Sequence, residues 1–287
     1  MGKKDITEKN LEAWNDVFAD IVNVLLFKGK RLLKEQDLEA YTKDSILKVD
    51  GEIHEQERDV SKFWKNGEIR ISILGFENQT VQDYNMPLRV ISYDGANYKQ
   101  ELLDKSLKQK YPVVTLVLYF GTDSKWKAPK RLQDCFKIPE ELKPFVSDYT
   151  INVFDIAWLS DETIDMFQSD FKFVAKYFQT KRKNREYKPT NDEIIHVDSL
   201  LKMFIALTGD NYFETVYNEG NLKNEKGGFP MGSIFEEWVN QGKEIRTAEL
   251  IKKMLETKFA TEQQIADLLN ISVKEVKKIA ATVPVEA

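Results

Sequence analysis

Between Leu11 and Leu33 apolar residues recur at spacings of three and four, at Trp14, Val17, Phe18, Ile21, Val22, Leu25 and Leu26, which predicts an amphipathic helix. The period then changes. A short strand is expected around Ile46–Val49, ahead of the turn pair Asp50-Gly51. Arg58–Gln79 (RDVSKFWKNGEIRISILGFENQ) reads as two strands about an Asn66-Gly67 turn, with Lys65 opposite Glu68. Val81–Leu107 carries helical content, and Pro87 and Gly95 predict a kink or a break inside it. Pro112–Phe120 (PVVTLVLYF) is continuously apolar up to Gly121, the mark of a strand covered on both faces. Ile151–Leu159 is expected to be a strand beside it. This order predicts an α/β fold, a mixed sheet with helices on its faces. Beyond Ser160 the pattern is helical, at Phe167–Phe178, Ile194–Leu207 and Tyr212–Tyr217. A Gly-rich loop at Asn221–Ser233 then precedes a helical tail from Ile234.

Composition narrows the function classes only a little. With 287 residues, 42% of them hydrophobic, the chain can bury a sizeable core. A formal charge of -5 demands neither nucleic acid nor an acidic membrane as partner, and a local basic strip could still meet DNA. The single cysteine, Cys135, excludes an internal disulfide and a cysteine-built zinc cage. Met1–Asn10 is charged, with no apolar run before Trp14, and no stretch approaches a membrane span. A soluble, cytoplasmic protein without a signal peptide is the expectation.

Candidate chemistry sits at the outer ends of the hairpin. Glu77 and Gln79 share a strand face with Ile69, Ile71 and Ile73. A carboxylate that continues an aliphatic row is costly unless a cation meets it, and with no His or Cys cluster nearby an oxygen-ligated divalent ion is the natural candidate. Asp59 completes such a site only if it reaches the same face. In the simple register Asp59 lies opposite Leu74 and points away from Glu77. A three-residue loop, or a bulge at Gly75, would restore common facing, so a local irregularity is expected in the turn or between Leu74 and Phe76. Against this stands the ordinary reading, in which acids at strand ends are solvated.

Several blocks in order resemble the recombination-promoting nuclease and putative transposase family of bacteria, within the PD-(D/E)XK nuclease superfamily. They are VFADIVNVLLFKG in the first helix, RDV at Asp59, LGFENQT through Glu77 and Gln79, MPLRVISYD from Met86, and YPVVTLVLYFG ahead of Trp126. The resemblance implies a restriction-endonuclease-like core, in which a helix precedes a three-strand meander, a second helix and a further strand. It also implies a magnesium- or manganese-dependent DNA endonuclease, with Asp59 and Glu77 as metal ligands and Gln79 positioning the attacking water. Arg58 stands where the superfamily usually has proline, and Gln79 where it usually has lysine. Gln79 orients water but carries no charge. The family typically shows Gln there. Asp20 is the implied acid of the first helix, one turn after Asp16, and a solvated helix face is the competing reading for both.

Arg89 and Tyr93, four apart, are candidates for phosphate contact, or for packing beneath the site. Lys181, Arg182 and Lys183, with Arg185 and Lys188, form a basic run that could follow a nucleic-acid backbone or simply be solvated. His54 and His196 are isolated and are expected at the surface or the core edge. No phosphate loop and no nucleophile elbow is present. TEQQIADLLNISVKEVKKI has helix-turn-helix spacing, with Ser272 capping a second helix through Glu275. It would bring Lys274, Lys277 and Lys278 to a duplex, or serve as a homodimerising or docking unit, and Ala248–Leu255 could supply the third helix of its core. The expected organisation is a nuclease-like core over 1–185, a helical extension and loop over 186–233, and a helical tail over 234–287. DNA is the expected partner and no membrane is involved. A non-catalytic DNA-binding or defence-associated protein is the alternative, and an RNase also fits.

Overall fold

The computed structural model describes residues 10–40, 47–49, 52–54, 60–74, 80–103, 105, 109–185, 187, 192–208, 229–230, 248, 251–257, 259–269 and 271–282. The apolar stripe of the first helix forms α1, Asn15–Leu25, entered through a 3-10 turn at Leu11–Ala13. Strands β1 (Leu38–Ala40), β4 (Val60–Trp64) and β5 (Ile69–Leu74) make an antiparallel meander, interrupted by a separate hairpin of β2 (Leu47–Val49) and β3 (Glu52–His54). Helix α2, Met86–Leu103, then leads to β6 (Val113–Tyr119), which runs parallel to β5 on one side and to β7 (Asn152–Asp155) on the other. The sheet order is β1-β4-β5-β6-β7. The expected mixed sheet, with its helix, meander, helix, strand sequence, is therefore present.

Helices cover both faces of the sheet. Lys62, directly opposite Ile71 and on its face, donates to the Ala13 carbonyl at 2.8 Å and lies 5.5 Å over the Phe18 ring, so this face meets α1. Phe120 follows on the same side and packs against Phe171 and Phe178 of α4 (Phe171–Arg182), which a short α3 (Asp161–Asp165) precedes. On the other face Leu74, Val117 and Tyr119 pack with Met86 and Val90 of α2. Deeper on that side the Arg70–Glu101 ion pair closes at 3.2 Å with both side chains at or below 5% exposure, and the Tyr111 amide donates to Glu101 at 3.0 Å. Asp94 accepts from Thr115 at 2.6 Å and from the Tyr149 hydroxyl, whose own titration burial pushes up.

Two expectations change. Helix α2 runs unbroken through Pro87 and Gly95, because Pro87 is its second residue, where no backbone donor is needed, and Gly95 lies on an exposed face. Only Asn152–Asp155 of the Ile151–Leu159 stretch pairs as a strand; Ile156–Trp158 turns away as a 3-10 helix. The Asn66-Gly67 pair closes its hairpin without left-handed backbone at either residue; the positive φ of 47° falls on Glu68. Gly67 is needed for a different reason, since a Cβ there would lie 2.2 Å from the Trp64 ring.

Gly95 supports a direct test. A Cβ at this position meets nothing within 4 Å, and alanine costs less backbone entropy in a helix. Gly95→Ala is expected to raise stability by about 0.5–1 kcal/mol, read as a higher urea midpoint at constant slope. A lower midpoint would show that the helix needs glycine there.

The chain forms two compact units, Met1–Arg185 with Ile194–Gly228, and Glu186–Glu193 with Phe229–Ala287. The first also holds α5, Val197–Thr208. In the second, a helical stretch at 251–256 packs with α6 (Glu262–Leu269) and α7 (Val273–Thr282) around Ile251, Ile265, Ala266 and Val276. Tyr212–Tyr217 and most of the Asn221–Ser233 loop lie outside the described residues. Among the described residues no helix is long and apolar enough to cross a membrane.

Candidate active site

The hairpin keeps the register read from its sequence. Trp64 pairs with Ile69 and Val60 with Ile73, and the Glu68 amide donates to the Lys65 carbonyl at 3.3 Å. A three-residue loop is thereby excluded. Leu74 continues the ladder, paired in parallel with Val117 and packed toward α2. Of the two irregularities expected, only the one between Leu74 and Phe76 remains. Asp59, Glu77 and Gln79 lie outside the described residues, as do Gly75 and Phe76. What the described residues establish is the frame: the chain enters β4 at Val60 and leaves β5 at Leu74 on the same edge of the sheet.

That edge is the carboxyl end of three parallel strands, and it is built with care. Helix α2 begins over it, Met86 and Val90 packing on Leu74, Val117 and Tyr119. Gln82, just ahead of α2, holds the segment after β6 by accepting from the Lys127 and Ala128 amides at 2.7 and 2.9 Å and donating to Ser124 Oγ at 3.0 Å. Asp155, at the end of β7, accepts from the Trp126 amide at 2.6 Å. The Trp126 ring stands edge-on to Tyr119. Burial first, then the nearby charges of Asp155 and Asp123, push the Tyr119 hydroxyl above its ordinary value. Gly121 ends the strand with no Cβ, leaving room for that hydroxyl. Gln82 and Asp155 carry no sequence signal, because their partners lie 29–46 residues away and no local pattern marks them.

Arg89 and Tyr93 do come together on α2. The guanidinium donates to Asp83 Oδ2 at 3.0 Å and toward the Tyr93 hydroxyl at 3.5 Å, and Tyr93 packs against the cluster that contains Leu74. Burial works against the Arg89 charge, but the bonds to Tyr93 and Asp83 outweigh it and raise the pKa. At 41% exposure its side chain remains within reach of a ligand.

Asp20 is drawn into the fold. Its Oδ2 accepts from the Gln168 and Ser169 amides at 2.9 and 2.8 Å and from Ser169 Oγ at 2.7 Å, while Oδ1 meets Arg31. It is a 4% exposed clamp, not a solvated helix face. Asp16, one turn earlier, accepts or shares a proton with His196 Nε2 at 2.8 Å, and His196 stacks on Trp14 at 4.2 Å. Burial opposes the Asp16 charge, yet the hydrogen bond and charge of His196 hold its carboxyl below the usual range. That stabilisation is present above the ordinary carboxylate pKa and is lost as pH falls through the lowered one.

The basic run is partly engaged within the chain. Arg182 donates to the Ala157 carbonyl at 2.8 Å and stacks 4.4 Å over the Trp158 ring; Lys183 pairs with Asp161 at 3.4 Å. Lys181 and Arg185 are exposed. Among the described residues no three His, Cys, Asp or Glu side chains gather as a metal site.

Residues 34–200 match the model of a family described as putative transposase, YhgA-like. No curated protein and no solved structure matches the chain.

Proposed function

Because the chain belongs to the YhgA-like putative transposase family, we propose that it is a magnesium-dependent DNA endonuclease of the recombination-promoting kind, with its site at the open end of the β4–β5 hairpin. The observation that carries this reading is the hairpin register. Val60 pairs with Ile73, so the start of β4, next in sequence to Asp59, and the end of β5, three residues before Glu77, lie at one end of the sheet. Two carboxylates with no His or Cys cluster beside them in the sequence suit a hard divalent ion. Held by Asp59 and Glu77, magnesium would polarise the scissile phosphate and lower the pKa of the attacking water. Gln79 then orients that water through its amide, accepting or donating a hydrogen bond without taking the proton. Arg89, held by Asp83 and Tyr93, offers a guanidinium to a flanking phosphate.

A second reading, a DNA-binding protein that retains the core without cutting, follows if Gln79 does not supply what lysine supplies in the wider superfamily. One assay separates the two: nicking of supercoiled DNA in magnesium or manganese by wild type and Asp59→Ala, with binding measured alongside. Nicking by wild type alone is expected. Equal nicking by both would refute the site, and salt-sensitive binding without cleavage in either ion would establish the second reading.

A further inference from the structure

We propose that α6, its turn and α7 form a separate docking element for duplex DNA, with α7 the helix laid against the groove. The unit has the parts such an element needs. The stretch at 251–256 supplies a third helix, so that Ile251, Ile265 and Val276 are fully buried and Ala266, at 2% exposure, lets the helices approach closely. Both helices begin with a reciprocal cap. The Thr261 amide donates to Gln264 Oε1 at 2.9 Å while the Gln264 amide donates to Thr261 Oγ1 at 3.3 Å. Ser272 and Glu275 repeat the exchange at 2.8 and 3.2 Å. These caps fix where α7 starts, with three residues between it and the end of α6.

The outward side of α7 carries the recognition chemistry. Lys274, Lys277 and Lys278, spaced three and four apart, share one exposed face. Lys277 also reaches Glu262 at 3.2 Å, but both groups are more than 40% exposed and the pair is exchangeable. Glu275, the acid beside them, spends its carboxylate on the Ser272 cap. A helix of 10 residues is about 15 Å long and fits a major groove of about 12 Å width. A second copy of the chain suits this face poorly, since a two-fold contact would set the lysines against each other.

The inference extends the DNA-directed reading but does not depend on cleavage. Binding of a labelled duplex is measured by anisotropy in EDTA across a salt series, on the full chain and on Lys274→Ala/Lys277→Ala/Lys278→Ala. The variant is expected to bind at least about tenfold more weakly, with a log-log salt slope reduced by about 2–3, at roughly 0.9 for each phosphate that is no longer neutralised. Unchanged affinity and slope, or an altered oligomeric state with unchanged affinity, overturns the proposal. Lys274→Gln/Lys278→Gln, which leaves the Lys277 pair intact, controls for folding and is expected to show a smaller loss of the same sign. The two readings fail separately. A chain that binds through these lysines and never cuts loses the nuclease reading alone, whereas one that cuts with the lysines irrelevant loses only this one.

Discussion

Replacing either Asp59 or Glu77 by alanine is expected to lower magnesium-dependent cleavage by on the order of 10³-fold, and replacing both to lower it no further. The magnitude follows from the work assigned to a shared ion, several kcal/mol of transition-state charge stabilisation at about 1.4 kcal/mol per decade. The non-additivity follows from the sharing. Once one carboxylate is gone the ion is lost, and the second has nothing left to hold. Arg89→Ala should behave differently, weakening DNA affinity with a smaller effect on turnover, because the phosphate contact proposed for its guanidinium would form in the ground state as well. Single-turnover rates for the two single variants and the double variant, each checked for an unchanged unfolding transition, test the scheme. Losses that multiply in the double variant would mean two independent roles and would remove the shared ion.

How far such a site can be read from sequence depends on the range of the interactions that build it. The apolar run at β6 is recognisable because burial on both faces is written locally, as consecutive Val, Leu and Tyr, and the sheet does place β5 and β7 on either side of it. The hairpin register is legible for the same reason: the turn lies between its own strands, and Val60 falls opposite Ile73 as expected. Pro87 and Gly95 mislead when residue type is weighed without position. Proline in a first turn leaves no hydrogen bond broken, and an exposed glycine only weakens a helix that packing through Met86 and Val90 sustains. The tail is legible in the Ser272 cap and in its third helix, both of which are local. The partners of Asp20, Arg182 and Asp155 are hidden. Ser169 is 149 residues from Asp20, Ala157 is 25 from Arg182, and Trp126 is 29 from Asp155, and no periodicity encodes such pairings.

Asp20 is where that hidden geometry bears most directly on function. Asp20→Ala is expected to destabilise the first unit by about 3–5 kcal/mol, since it strands the Ser169 amide and hydroxyl in a site 8% exposed and frees the Gln168 amide and Arg31 together. Asp20→Asn should cost less, about 1–2 kcal/mol, because its amide oxygen can still accept from the two backbone donors while the charge that holds Arg31 is gone. Urea unfolding in EDTA reads both losses without any ion present. The magnesium dependence of cleavage supplies the opposing measurement. For a clamp, Asp20→Asn shifts the unfolding midpoint and leaves the half-saturating magnesium concentration where it was. For a ligand, the midpoint in EDTA stays and the magnesium requirement rises. The hydrogen bonds that already occupy both oxygens of its carboxylate favour the first outcome, and with it a metal held by Asp59 and Glu77 without help from α1.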